Sequence, residues 1–492
     1  MEIRKATVNN IAFTRCASSK PITCNFTAPA DDAEIQSVTV TVRTQSALYS
    51  ENACTVRARA LINAVCKVEN ASVSFENTVD FDVVFVSDKI TENGLLHCAH
   101  IAQNIKKEKQ GDGYAISAII DSEADFLIVT PCEYTADLNG AIVKSGKKEA
   151  LSFFARCGGS ADFEQEKEVS LLAYKMLAHE ESVRVSGVQC GVNEVIVDGE
   201  VYAEFLFTTE RGETFGETLV CPFRYEIEKD GCLPEMTACA YAEIVSVAYR
   251  MENDPSDGKN MLYASYGLNF CAVVCRSESV TYVDDAFSTD CELNVSREQY
   301  DFITGVRSKE FRYRCFGEVT ADKPCDNVVA VAGGGIYALN YAKDGDNLAV
   351  SGILRADVVT NEKEGGRGGA AVELAFQTSF PWDGEPLSVI AEKRNLSVKR
   401  LNDRLVAEAE IVVTATVAIK TCVSMVAEVA EGEKKAEDDA AVKIIFVEKG
   451  DDCWTVCKKA GVGEECLKQQ NPDLIFPAEK NNGIVVYRKI DL

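Results

Sequence analysis

The chain has 492 residues and a formal charge of −26, from 51 Lys and Arg against 77 Asp and Glu. That length exceeds what one hydrophobic core fills, so several domains are expected. The acidity argues against nucleic acid as a partner for the bulk of the protein, because a phosphate backbone would be repelled. No stretch reaches the ~18 to 20 apolar residues of a spanning helix, and Met1-Glu2-Ile3-Arg4-Lys5 opens no signal-type apolar core, so the sequence reads as soluble and unexported. The nearest apolar run, Val328 to Leu339, is broken by Gly333-Gly334-Gly335, which reads as a turn between strands.

From the N-terminus to about residue 428 the chain is β-patterned, with alternating apolar positions that mark half-buried strands. The clearest run is Val197-Asp198-Gly199-Glu200-Val201-Tyr202-Ala203-Glu204-Phe205-Leu206-Phe207, followed by a turn at Gly212 and then Pro222-Phe223-Arg224-Tyr225-Glu226-Ile227. Shifted forward by 153 positions, Gly199 lands on Gly352, Gly212 on Gly365 and Phe223 on Phe376. Shifted back by 122, Gly199 lands on Asn77, Phe223 on Ile101 and Ile227 on Ile105. A Gly, Gly, Asn position suggests positive φ, which Asn tolerates best after Gly. Each unit then closes with another alternating strand, at Tyr114 to Ile119, Thr237 to Val245 and Leu405 to Val413. These spacings predict three repeats: 1–165 with an N-terminal extension, 166–295, and 296–428. Closely spaced strands with few helices predict antiparallel sandwiches.

The stretch 429–441, with Glu431-Gly432-Glu433-Lys434-Lys435-Ala436-Glu437-Asp438-Asp439, is charged and aperiodic and reads as an acidic linker. Beyond it the pattern changes. Ile445-Phe446-Val447 reads as a strand, Gly450 as a sharp exit, and Asp451 or Asp452 as a helix cap. Cys453, Val456, Cys457 and Ala460 share one helix face. A second helix through Leu467, then Asn471-Pro472, leads to a closing strand at Ile484 to Tyr487. The segment 442–492 is therefore expected to be a small βααβ domain.

The twenty cysteines are dispersed with no Cys-x-x-Cys, which favours buried free thiols over a disulfide framework or a zinc site. Oxidative cross-linking in an assembled layer stays open. His97 and His100 lack a third ligand of evident spacing and read as ordinary histidines, and no cofactor or metal site is expected. Cys132 and Cys157 have no nominated base, and no residue set carries catalysis, so the chain reads as a non-enzyme.

The C-terminal segment resembles a LysM module in its strand, Gly450-Asp451, Trp454, Leu467 and Asn471. The repeats, chiefly around Gly199 and Phe223, resemble the SPOCS domain of clostridial and bacillar spore-associated proteins. The resemblance implies a structural or assembly protein of the spore envelope or coat, acting in the mother-cell cytoplasm at the forespore surface. It implies a LysM groove flanked by Gly450, Asp451, Asp452, Asn471 and Pro472. That groove would take a coat scaffold protein or peptidoglycan, and oligomerisation stays open. Asp452 stands where the family usually has a hydroxyl, which favours a protein. The alternative is a glycan-binding wall or surface protein whose sandwiches form a stalk.

Overall fold

The computed structural model describes residues 2–28, 33–68, 71–92, 94–169, 173–211, 213–254, 259–319, 325–362, 366–401, 404–435 and 442–487. These residues are mainly β, with antiparallel sheets and two short helices among them. The first six strands are β1 (Glu2–Thr27), β2 (Glu34–Ser50), β3 (Ala53–Val68), β4 (Ala71–Val86), β5 (Leu95–Gln110) and β6 (Gly113–Asn139). They form two sheets, ordered β1-β6-β5 and β2-β3-β4. The next six are β7 (Ile142–Val169), β8 (Lys175–Cys190), β9 (Glu194–Thr208), β10 (Thr214–Glu228), β11 (Thr237–Asp254) and β12 (Lys259–Phe287). Their sheets are β7-β12-β11 and β8-β9-β10. The third set comprises β13 (Cys291–Val319), β14 (Cys325–Asp344), β15 (Asn347–Glu362), β16 (Gly366–Pro381), β17 (Glu385–Leu401) and β18 (Arg404–Lys434). It is ordered β13-β18-β17 and β14-β15-β16, the same connectivity again.

Within each set the two sheets face each other over an apolar core. Val195, Val197, Val201, Ala203, Phe205 and Phe207 of β9 meet Leu262, Ala264, Tyr266 and Leu268 of β12 in the second set. The first and sixth strands are far longer than the usual ~5–6 residues, and a second job accounts for that length. They leave their own cores and run together as three two-stranded ladders around a shared apolar column. One layer of the column gathers Ile11, Leu127, Leu151, Cys275, Ile303 and Ala418. The next gathers Val8, Tyr134, Ala150, Val280, Phe302 and Met425. A third joins Leu138, Val283, Ala286 and Val426. Every layer draws on all three sets, so no set owns its whole core.

This column moves the predicted boundaries. Divisions at 165/166, 295/296 and 428/429 fall inside β7, β13 and β18, whose residues there are ladder-paired, as in Glu166↔Tyr263, Val295↔Val429 and Ser296↔Glu428. The breaks between sets lie instead at the short connections 140–141 and 288–290. The predicted linker is partly strand too: Glu431 pairs with Leu293 and Lys434 with Cys291, while 436–441 lie outside the described residues.

The forward shift of 153 holds in register, since Gly199 faces Phe223 and Gly352 faces Phe376 across their hairpins. Positive φ is not the reason for these glycines. A Cβ on Gly199 would come within 2.3 Å of the Phe223 ring and 2.2 Å of the Arg184 carbonyl oxygen; on Gly352 it would meet the Phe376 ring at 2.9 Å. The ring lies over the bare backbone of the facing strand. The backward shift of 122 fails: Asn77 is on β4 opposite Ile62, not on the central strand, and Ile101 is only half-buried. The matching pair in the first set is Ala58↔Phe81, also five residues into the central strand. Left-handed residues recur instead in the hairpin before each central strand, at Asn52 (φ 58°), Asn193 (φ 62°) and Gly345 (φ 58°). Gly212 and Gly365 lie outside the described residues.

Two further corrections concern strands. Thr237 to Val245 lies on the fifth strand of its set, whereas Tyr114 to Ile119 and Leu405 to Val413 lie on the sixth. Gly333-Gly334-Gly335 sits inside β14 at a register shift between Ala332 and Gly335, so it is a bulge and not a turn.

Candidate functional site

The C-terminal segment is built from β19 (Val442–Val447), α1 (Cys453–Ala460), α2 (Glu464–Gln470) and β20 (Asn482–Tyr487), with β19 antiparallel to β20. Gly450 leaves β19 at φ +97°, a conformation that a Cβ would strain. Its N–H donates to the Ala478 carbonyl at 2.8 Å, and the Ala478 N–H returns a bond to the Asp451 carbonyl at 2.9 Å. Asp451 accepts from the Glu448 N–H at 2.9 Å and pairs with Lys459 at 2.7 Å. Asp452 caps α1, accepting from the Thr455 N–H at 2.8 Å and its hydroxyl at 2.5 Å. These bonds hold both carboxyls below the ordinary carboxylate range. Gly461, left-handed at φ 68°, closes α1 after Lys458 and Lys459, whose charges suit its C-terminal end.

The five predicted groove residues thus divide. Gly450, Asp451 and Asp452 form one stitched loop against Ala478. Asn471 is turned inward: its side-chain amide donates to the Val485 carbonyl at 3.0 Å and the Leu467 carbonyl at 3.3 Å, tying α2 to β20. Pro472 is exposed beside it.

The module is not held apart from the body. Trp454 Nε1 donates to Asp285 at 2.7 Å, Lys458 pairs with the same carboxylate at 2.6 Å, and the Trp454 ring meets Phe287 edge-on at 5.2 Å. Ile142 and Phe287, at the far end of the column, join the module's own core of Val456, Cys457, Leu467 and Ile484. Lys144 reaches Asp452 at 3.9 Å. Burial alone would push the Asp285 carboxyl up, but Lys458 and Trp454 hold it below its usual value. The module is therefore docked on the end of the column.

What docking leaves uncovered is apolar. Val442, Ile444 and Phe446 alternate outward from β19, and Ile444 and Phe446 are 66% and 76% exposed. Tyr487, opposite Val442, extends the patch, and Ile475 is exposed on the loop after α2. These are five of the fourteen large apolar side chains exposed among the described residues, gathered on the smallest part of the fold.

A second feature escaped sequence reasoning. Where the second and fifth strands of the three sets converge lies a cavity of about 870 Å³. Lys393 of β17 reaches into the second set between Glu180 at 3.2 Å and Glu204 at 2.5 Å. Burial opposes the Lys393 charge, but the two carboxylates outweigh it and raise its pKa. Arg43 of β2 pairs with the buried Glu181 of β8 at 2.8 Å. Glu243 of β11 accepts the Cys98 N–H of β5 at 2.9 Å and lies 3.4 Å from His97. Burial works against both charges of that pair, yet each partner sustains the other: Glu243 is lowered and His97 raised. His100, bonded to Ser122 at 2.8 Å and Thr44 at 3.1 Å, is pushed down to about 4 by burial. No local motif could have revealed this site, because its walls come from strands hundreds of residues apart.

The thiols on the cavity wall are not activated. Burial raises Cys98, and it pushes Cys190 to about 12, so neither has thiolate character near neutral pH. The nineteen cysteines whose side chains are described are free thiols, and the described residues hold no group of three His, Cys, Asp or Glu arranged for a metal ion. No described helix is long and apolar enough to cross a membrane.

No protein-family model, curated protein or solved structure matches this chain.

Proposed function

We propose that the chain is a non-enzymatic assembly protein of the spore envelope or coat, acting at the forespore surface. In this reading the three strand sets are copies of one SPOCS-type unit, and they carry a LysM-type module that docks a coat scaffold protein. The observation that carries the protein-docking half is the exposed face of Val442, Ile444, Phe446 and Tyr487. Apolar surface exposed on one sheet face in this way supports a protein contact. The loop side supports the same reading, because Asp451 and Asp452 are spent on Lys459, Thr455 and the backbone.

The test is co-purification of the full chain with coat scaffold proteins from sporulating cells, beside sedimentation with purified peptidoglycan. Ile444→Asp and Phe446→Asp place charge on the open face without touching the module's core. Scaffold capture is expected to fall about tenfold or more in each. Sedimentation with peptidoglycan, unaffected by either change and with no scaffold recovered, overturns the reading in favour of wall binding.

A further inference from the structure

The hairpin before β9 and the turn before β11 are stitched together on one residue. Asn193, left-handed at φ 62°, donates its N–H to the Cys232 carbonyl at 2.9 Å and accepts the Lys229 N–H at 2.9 Å. Its side-chain oxygen accepts the Gly231 N–H at 2.8 Å. Cys232 donates its own N–H back to the Lys229 carbonyl at 3.1 Å. Cys190 stands just before this hairpin, opposite Val195, and packs against the core that contains the fully buried Cys232. The two thiols lie within hydrogen-bonding reach of each other.

The first set shows what the fold itself needs at these places. There the Ser87 N–H donates to the Asn52 carbonyl at 2.9 Å and the Ile90 N–H to the Ser87 carbonyl at 3.1 Å, the same stitch. Tyr49 and Ile90 hold the places of Cys190 and Cys232, and both belong to the first set's apolar core. Packing is met there without sulfur, so a facing pair of thiols in the second set adds a chemistry that packing does not ask for. The described residues hold no three-ligand metal set, and two adjacent sulfurs on stitched backbone point to an S–S bond.

We propose that Cys190 and Cys232 are an oxidation site that closes to an intramolecular disulfide, pinning the hairpin before β9 to the turn before β11. Hydrogen peroxide is the oxidant. Cys190, the partly exposed member on the cavity wall, loses its proton and attacks the O–O bond, giving a sulfenic acid and one water. Cys232 then loses its proton, and its sulfur displaces the sulfenic hydroxyl as a second water. Two thiols become one S–S bond while one peroxide is reduced to two waters. Burial keeps Cys190 protonated, which makes closure slow. The same reluctance makes its sulfur a poor leaving group, so the finished bond resists reduction.

The full-length protein is treated with hydrogen peroxide, unfolded in acid, alkylated at its remaining thiols and mapped by peptide mass spectrometry. A peptide joining Cys190 to Cys232 is expected, stable to millimolar glutathione and lost in dithiothreitol. Cys190→Ser, at a partly exposed position, should yield no such peptide. Cys422→Ser, which removes an exposed thiol, should change its yield less than twofold. Peroxide should raise the melting temperature of the parent by about 4 °C or more and leave that of Cys190→Ser unchanged. Mapping of the parent carries the test should Cys190→Ser not fold. Cys190 joined instead to Cys157, which packs against the same core, would overturn the proposal. So would Cys190 recovered as a sulfinic acid, or peroxide-treated protein holding no link between Cys190 and Cys232.

Discussion

The column that joins the three strand sets and the patch that holds the C-terminal module are both interfaces within one chain, and they differ in what they bury. The column stacks apolar layers drawn from all three sets, and beside it Lys393, Glu204, Arg43 and Glu181 cross between sets with little exposure. The module rests on one partly exposed carboxylate, Asp285, and on Phe287 and Ile142. Partly exposed ion pairs contribute little, whereas a buried pair broken on one side leaves a charge stranded in low dielectric. The sets are thus parts of one cooperative body, while the module is attached by contacts that a partner or a mild change can displace.

The strongest way to break this contrast is inside the body. Lys393→Ala removes the buried ammonium that faces Glu204 at 2.5 Å, and a loss of about 3–5 kcal/mol is expected. Phe302→Ala, fully buried in the column, is expected to cost a similar ~3–5 kcal/mol. Denaturant melts should move as a single transition in both variants, and separate transitions for the three sets would show that they do not depend on the column.

A smaller effect is expected within one set. Gly199→Ala drives a Cβ into a backbone carbonyl as well as the Phe223 ring, and should cost about 1–3 kcal/mol. Gly352→Ala meets only side chains, chiefly the Phe376 ring, and should cost less. Thermal melts of the two variants compare these costs directly.

At the module, Asp285→Ala should leave the body's melting temperature nearly unchanged while releasing Trp454. A red shift of Trp454 emission reports it, since Trp382 stays buried in the third set's core. Acid should do the same more gradually. The Asp285 pKa is lowered in the folded state, so its contribution is present above the ordinary carboxylate value of 3.8 and is lost as pH falls through the lower folded value. Emission should therefore shift in the parent protein below pH 3.8, and Asp285→Asn should remove that step.

How far the sequence was legible follows from the same physics. Local chemistry was readable: alternation named strands, Gly450 its turn, and Asp451 or Asp452 a cap, which Asp452 supplies. The Gly199–Phe223 and Gly352–Phe376 pairs were readable because both residue types recur at one spacing. The first set hid its counterpart, since Ala58 replaces glycine and the offset from Gly199 is 199 − 58 = 141 instead of 122. Set boundaries were misplaced because column strands keep the same alternation as core strands, so nothing in the pattern marks where a strand leaves its own core. The cavity was invisible for the reason that makes it interesting: Arg43, His97, Glu243 and Lys393 meet only after the three ladders associate.

The most direct measurement is capture of coat scaffold protein by the full chain and by Ile444→Asp, with peptidoglycan sedimentation alongside. The account predicts scaffold capture by the parent protein, its loss by about tenfold or more in Ile444→Asp, and weak sedimentation of both. Strong sedimentation of both with no scaffold captured would contradict it.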